Sequence, residues 1–117
     1  MKESPFACDM TALEVSERRK HIENINNVFQ SVKEIRENFN GYSFLLRKES
    51  NMLINLMEFI EKERLCCPFF GFIIEIEQEG GDVWLKITGR EGVKDFIEVE
   101  FGDFLSDNVS WDQEIKN

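Results

Sequence analysis

The amino-acid sequence predicts an α+β domain in the order α–ββ–α–ββ–α. Its four strands form one antiparallel sheet with the helices on one face. Three observations lead there. Apolar residues recur at helical spacing over 13–30 and 50–66. Two stretches of alternating apolar and polar residues are punctuated by Asn40-Gly41 and by Glu79-Gly80-Gly81-Asp82. The unit hairpin-then-helix occurs twice, over 31–66 and over 69–105, so two like units can share one sheet.

Residues 1–12 read as an arm, which Phe6, Ala7, Cys8 and Met10 could anchor. Residues 13–30 read as a helix with Ser16 as the N-cap residue and no capping box, because Arg19 follows where Glu would stand. Its buried stripe is expected at Ile22, Ile25, Val28 and Phe29, with Glu17, Arg18, Arg19, Lys20 and Glu23 toward water. His21, the single histidine, reads as a helix-surface or capping residue. Over 31–48 Asn40-Gly41 suggests a type I′ hairpin turn. Tyr42, Phe44 and Leu46 alternate with Ser43, Leu45 and Arg47 after it. The strand before it is the weaker one, since Glu34, Arg36, Glu37 and Asn38 are poor strand formers.

Ser50 is expected to cap a helix over 50–66 that buries Leu53, Leu56, Met57 and Ile60. Pro68 ends it and pushes Cys67 toward extended geometry. Residues 69–78 form a strand with Phe70, Phe72, Ile74 and Ile76 on one face. Val83, Leu85 and Ile87 alternate with Trp84, Lys86 and Thr88 on the way back. Thr88-Gly89-Arg90-Glu91-Gly92 is a strand-to-helix turn, without the lysine or the glycine fingerprint of a nucleotide loop. The last helix buries Val93, Phe96, Ile97, Phe101 and Phe104, and the polar tail from Ser106 is expected to be frayed or docked only by Trp111. The second sheet face would carry Leu45, Phe69, Ile73 and Trp84, a patch that suits a homodimer contact.

At 117 residues the chain is one domain: arm 1–12, core 13–105, tail 106–117. Its 42% apolar content excludes general disorder, and eleven phenylalanines suggest an aromatic core. Residues 1–40 carry 7 acids and 6 bases and residues 41–117 carry 16 and 8, which together give the net −9. Such a charge disfavours nucleic acid and anionic membranes as partners and leaves cations open. No apolar run is long enough to span a bilayer, and the start lacks a signal-peptide core, so a cytoplasmic setting is expected. Three cysteines do not suit a secreted disulfide framework. Their thiols are expected free, buried or metal-bound.

The stretch Glu63-Arg64-Leu65-Cys66-Cys67-Pro68-Phe69-Phe70 joins the helix end to the strand. On regular helix the two cysteine side chains would diverge by about 100°. The break at Pro68 could let both sulfurs face one point, with Cys8 as a third. Three thiolates, aided by His21 or Glu63, would make a soft site for zinc or another thiophilic ion. The cysteines could equally pack as small hydrophobes or serve redox chemistry. Their place at a helix C-terminus opposes a low-pKa nucleophile and favours a cation.

The chain resembles a group of small bacterial proteins that share four features. They are a Cys-x-Met-x-Ala-Leu start (Cys8, Met10, Ala12, Leu13), an Arg-x-x-His step (Arg18, His21), a Glu-x-x-Cys-Cys-Pro-Phe core (Glu63, Cys66, Cys67, Pro68, Phe69) and an Ile-Thr-Gly-x-Glu-Gly turn (Ile87, Thr88, Gly89, Glu91, Gly92). The resemblance implies a shared site drawn from Cys8, Arg18, His21, Glu63, Cys66 and Cys67. Phe39-Asn40-Gly41 departs from the Pro-Asp-Gly type of turn in that group.

The expectation is therefore a small domain that binds a soft metal or metalloid ion through Cys8, Cys66 and Cys67, assisted by His21 or Glu63, for sensing, buffering or delivery. The alternative is a non-catalytic homodimeric module with structural cysteines. A thiol-dependent redox protein comes third. No motif favours an enzyme.

Overall fold

The computed structural model describes residues 5–105 and 109–112, the last three for their backbone alone. A short 3-10 turn, Met10–Ala12, leads into α1 (Val15–Gln30). The hairpin β1 (Val32–Asn38) and β2 (Gly41–Leu46) follows, then α2 (Met52–Cys66). The second hairpin, β3 (Gly71–Ile76) and β4 (Val83–Thr88), leads to α3 (Val93–Phe101). This is the expected α–ββ–α–ββ–α order. The two hairpins join through β2 and β4, antiparallel from Gly41↔Thr88 to Leu46↔Val83. A short strand, β5 (Ser110–Asp112), pairs parallel with β1 and extends the sheet to the order β3-β4-β2-β1-β5. The expected docking by the Trp111 side chain lies outside the described residues.

Aromatic packing closes the helices onto the sheet. Phe29 of α1 stacks on Phe101 of α3 at 4.4 Å between ring centroids and meets Phe44 of β2 edge-on at 5.2 Å. Phe59 of α2 meets Phe29 at 5.7 Å and Phe72 of β3 at 6.1 Å. Offset and edge-on ring pairs each contribute about 0.5–1.5 kcal/mol beyond the area they bury. One phenylalanine from each helix thus joins an aromatic cluster that ties the helical layer to β2 and β3.

Three local expectations are corrected. Asn40-Gly41 is not a type I′ turn, for neither residue has positive φ, and Gly41 belongs to β2 opposite Asn38. A Cβ on Gly41 would stand 1.9 Å from the Ile87 carbonyl oxygen, so glycine is needed for strand approach rather than for turning. The positive-φ pair is Glu79-Gly80 in the second hairpin, closed by Gly81 N–H donating to the Gln78 carbonyl at 3.0 Å. Ser16 does not cap α1, which begins at Val15. Nor does Ser50 cap α2: Asn51 enters that helix in the left-handed region at φ 63°, a conformation asparagine tolerates.

The helix stripes are also rotated. On α1 the buried residues are His21, Asn24, Ile25, Val28 and Phe29, while Ile22 is 49% exposed. On α2 they are Leu56, Phe59, Glu63 and Cys66, with Leu53 and Met57 exposed. Two ionisable residues, His21 and Glu63, have taken core positions. On the second sheet face Leu45 is buried and Ile73 exposed. The Arg36 guanidinium lies 4.5 Å over the Trp84 ring, so the expected patch is partly covered by a charged group.

Candidate metal and redox centre

The arm is fixed before its cysteine is considered. Asp9 caps the 3-10 turn by accepting from Thr11 N–H at 2.9 Å. Its own backbone N–H donates to the Cys66 carbonyl, also at 2.9 Å. Arg18 of α1 donates from Nε to the carbonyls of Met10 and Leu13, at 3.0 and 3.3 Å. Phe6 packs edge-on against Phe69 at 5.1 Å, stacks with Phe96 at 6.0 Å, and lies 4.1 Å beneath the Arg90 guanidinium. Gly92, at φ 98°, leaves room for it, because a Cβ there would come within 2.9 Å of the ring. Arg18, one of the residues marked by the resemblance, thus anchors the arm.

Held in this way, Cys8 reaches the end of α2 and forms a disulfide with Cys67, their Cα atoms 4.6 Å apart. The expectation of three unlinked thiols is corrected accordingly; Cys66 alone remains a free thiol. Cys67 N–H closes the last turn of α2 on the Glu63 carbonyl at 2.7 Å, and this turn brings the two side chains together. Cys67 Sγ lies 3.2 Å from Glu63 Oε2. Cys66, one position earlier, points elsewhere, with Sγ 3.8 Å from Met10 Sδ. The break at Pro68 does not bring both sulfurs to one point. Cys66 is the last residue of α2 and Cys67 its C-cap at φ −128° and ψ 73°, and the two side chains leave the helix end in different directions.

Glu63 is 1% exposed and shares its other oxygen with His21, Nε2 to Oε1 at 2.7 Å. His21, also 1% exposed, stacks on Phe59 with ring centroids 6.1 Å apart. The Nε2–H tautomer donates to the carboxylate and leaves Nδ1 buried without a hydrogen-bond partner. An imidazolium would instead strand an N–H donor there, at a desolvation cost of about 1–3 kcal/mol. The Nε2–H tautomer is the hydrogen-bonding arrangement that fits. His21 is therefore neither a surface residue nor a cap.

A fourth group comes from α3. The ligand atoms of Cys8, Glu63, Cys67 and Glu100 all lie within 4.8 Å of one another. Burial, and then the Glu63 carboxylate, push the Glu100 carboxyl above its ordinary value. Burial together with Glu63, Asp9 and Glu100 pushes the Cys66 thiol up to about 11. Glu100 was not singled out from the sequence. Its signal was an acid seven residues after Val93 and three after Ile97, in register with the buried stripe of α3.

Charge follows from the helix ends. Glu63 and Cys67 stand at the C-terminus of α2, and Glu100 at that of α3. The negative ends of two macrodipoles therefore meet at a cluster of acidic groups, where a cation is favoured. Chemically, the cluster offers a sulfur pair able to gain or lose two electrons, and mixed sulfur and oxygen donors for a metal ion.

No protein-family model matches the chain, and neither a curated protein nor a solved structure matches it. No helix among the described residues is long and apolar enough to cross a membrane.

Proposed function

We propose that the protein binds a thiophilic metal ion in its dithiol state, for buffering or delivery, with Cys8, Cys67 and Glu63 as ligands. The observation that carries this reading is the convergence of four ligand atoms within 4.8 Å from three separate parts of the chain. The meeting of two helix C-termini there supports a cation. His21 orients the Glu63 carboxylate from outside the ligand set, as hydrogen-bonded partners of metal ligands commonly do.

The Cys8–Cys67 disulfide is then the oxidised, ion-free form. Two external thiols reduce it, yielding two cysteine thiols and one external disulfide. Binding a dication by both thiolates releases two protons. A reducing compartment, such as the cytosol expected from the sequence, would hold the pair open.

Native mass spectrometry of protein reduced with a phosphine and offered zinc tests this. The expected result is one ion per chain in the parent and in Cys66→Ser. None is expected in Cys8→Ser, Cys67→Ser or the oxidised parent. Zinc titration of reduced protein with no proton release and no change in thiol reactivity would overturn the reading.

A further inference from the structure

Resting on that reading, we infer that the site is built for a divalent ion held by two sulfurs and two carboxylate oxygens, and not for a trivalent metalloid held by three sulfurs. Three cysteines within reach of one helix end invite the trithiolate interpretation, and the geometry points away from it. Cys66 lies within α2, and its sulfur is seated against Met10 Sδ. Its carbonyl is held by Asp9 N–H, the residue after Cys8, so the bond that seats the arm also holds the buried Cys66 at the end of α2, with its sulfur toward Met10. Bringing Cys66 to the other two sulfurs would require unwinding the last turn of α2 and releasing the arm that supplies Cys8.

The position a third sulfur would take is filled by oxygen. Glu63 Oε2 already lies 3.2 Å from Cys67 Sγ, and His21 on Oε1 leaves that second oxygen turned toward the sulfur. Glu100 completes four donors. In a tetrahedral zinc site with bonds of about 2.0–2.3 Å, donors stand roughly 3.3–3.8 Å from one another. The four donor atoms here lie within 4.8 Å of one another, and reduction of the disulfide frees the two sulfurs to part to that spacing. Two thiolates and two carboxylates together exceed the charge of a dication, and the converging helix dipoles reinforce the preference for a positive ion. Zinc and cadmium suit such a mixed donor set, whereas arsenite needs a thiolate for each of its three displaced hydroxyls.

Cadmium titration of the fully reduced chain, followed by the thiolate-to-metal charge-transfer band, counts bound sulfurs directly. The expected band is that of two thiolates, unchanged in Cys66→Ser. Cadmium affinity should fall at least about 10-fold in Glu63→Gln. Glu100→Gln serves where Glu63→Gln does not fold by circular dichroism. A three-thiolate band that shrinks in Cys66→Ser would overturn the inference while leaving the metal-binding reading intact. Unchanged affinity in both glutamine variants, or arsenite protecting all three thiols from alkylation, would do the same. Absence of any cadmium band in protein with three titratable thiols would overturn the parent reading and the inference with it.

Discussion

Reducing the Cys8–Cys67 disulfide should cost this domain a large share of its stability. The bond joins residues separated by 59 positions. Chain-entropy arguments for a loop of that length give about 4 kcal/mol at 25 °C, from about 14 cal/mol/K of denatured-chain entropy removed. The figure is an upper value, because the arm keeps its backbone bond to Cys66, its Arg18 contacts and the Phe6 packing when the sulfurs part. At about 2.1 cal/mol/K per residue, 117 residues give an unfolding entropy near 0.25 kcal/mol/K. The same 4 kcal/mol therefore lowers Tm by about 16 °C. Differential scanning calorimetry of oxidised protein, phosphine-reduced protein and Cys8→Ser should give one high and two matching low transitions. Cys66→Ser should keep the high one. Zinc at about 100 times its Kd should restore about 2.7 kcal/mol to the reduced parent and nothing to Cys8→Ser. Oxidised and reduced Tm values within about 3 °C, with peptide mapping showing the Cys8–Cys67 link in the former, would refute the entropic argument.

Further outcomes follow from individual contacts. His21→Leu leaves the buried Glu63 carboxyl without its hydrogen-bond partner and should cost about 1–3 kcal/mol by urea unfolding, while His21→Leu with Glu63→Leu should recover most of it; a single-variant loss below about 0.5 kcal/mol would show that the pair carries no such weight. Gly41→Ala drives a Cβ into the Ile87 carbonyl, forcing β2 from β4, and should cost about 3 kcal/mol or prevent folding; a parental Tm would contradict this. Raising the Cys66 thiol from 9 to about 11 lowers its thiolate fraction about 100-fold at neutral pH, so iodoacetamide should label it roughly that much more slowly in the native oxidised chain than in urea. Equal labelling rates would place the thiol in solvent.

The sheet was legible because its signals are local. Tyr42, Phe44 and Leu46 alternate, Val83, Leu85 and Ile87 alternate, and Gly80 and Pro68 punctuate the chain where it turns. The inward faces of the helices were less so. Hydrophobic periodicity counts apolar side chains, and here a histidine and a glutamate satisfy each other inside the core. Assigning those positions to the surface rotates each stripe, bringing in Ile22, Leu53 and Met57, which the fold leaves exposed. Gly41 misled for a related reason: what demands glycine is a carbonyl on β4, forty-six positions away in sequence. Cys8, His21, Glu63 and Cys67 were marked, yet adjacency alone could not separate Cys66 from Cys67. What separates them is their turn relative to Glu63, which exists only once α2 is helical.

The disulfide also imposes an order on synthesis. Cys8 leaves the ribosome well before Cys66, and the residues between them hold no thiol to pair with it. When Cys66 and Cys67 emerge side by side, an unfolded chain offers them to Cys8 on nearly equal terms. Only a completed last turn of α2 directs Cys66 toward Met10 and Cys67 toward the arm. The choice of sulfur is thus made by the helix, and each time the pair is oxidised a formed α2 directs the bond to Cys67 rather than Cys66.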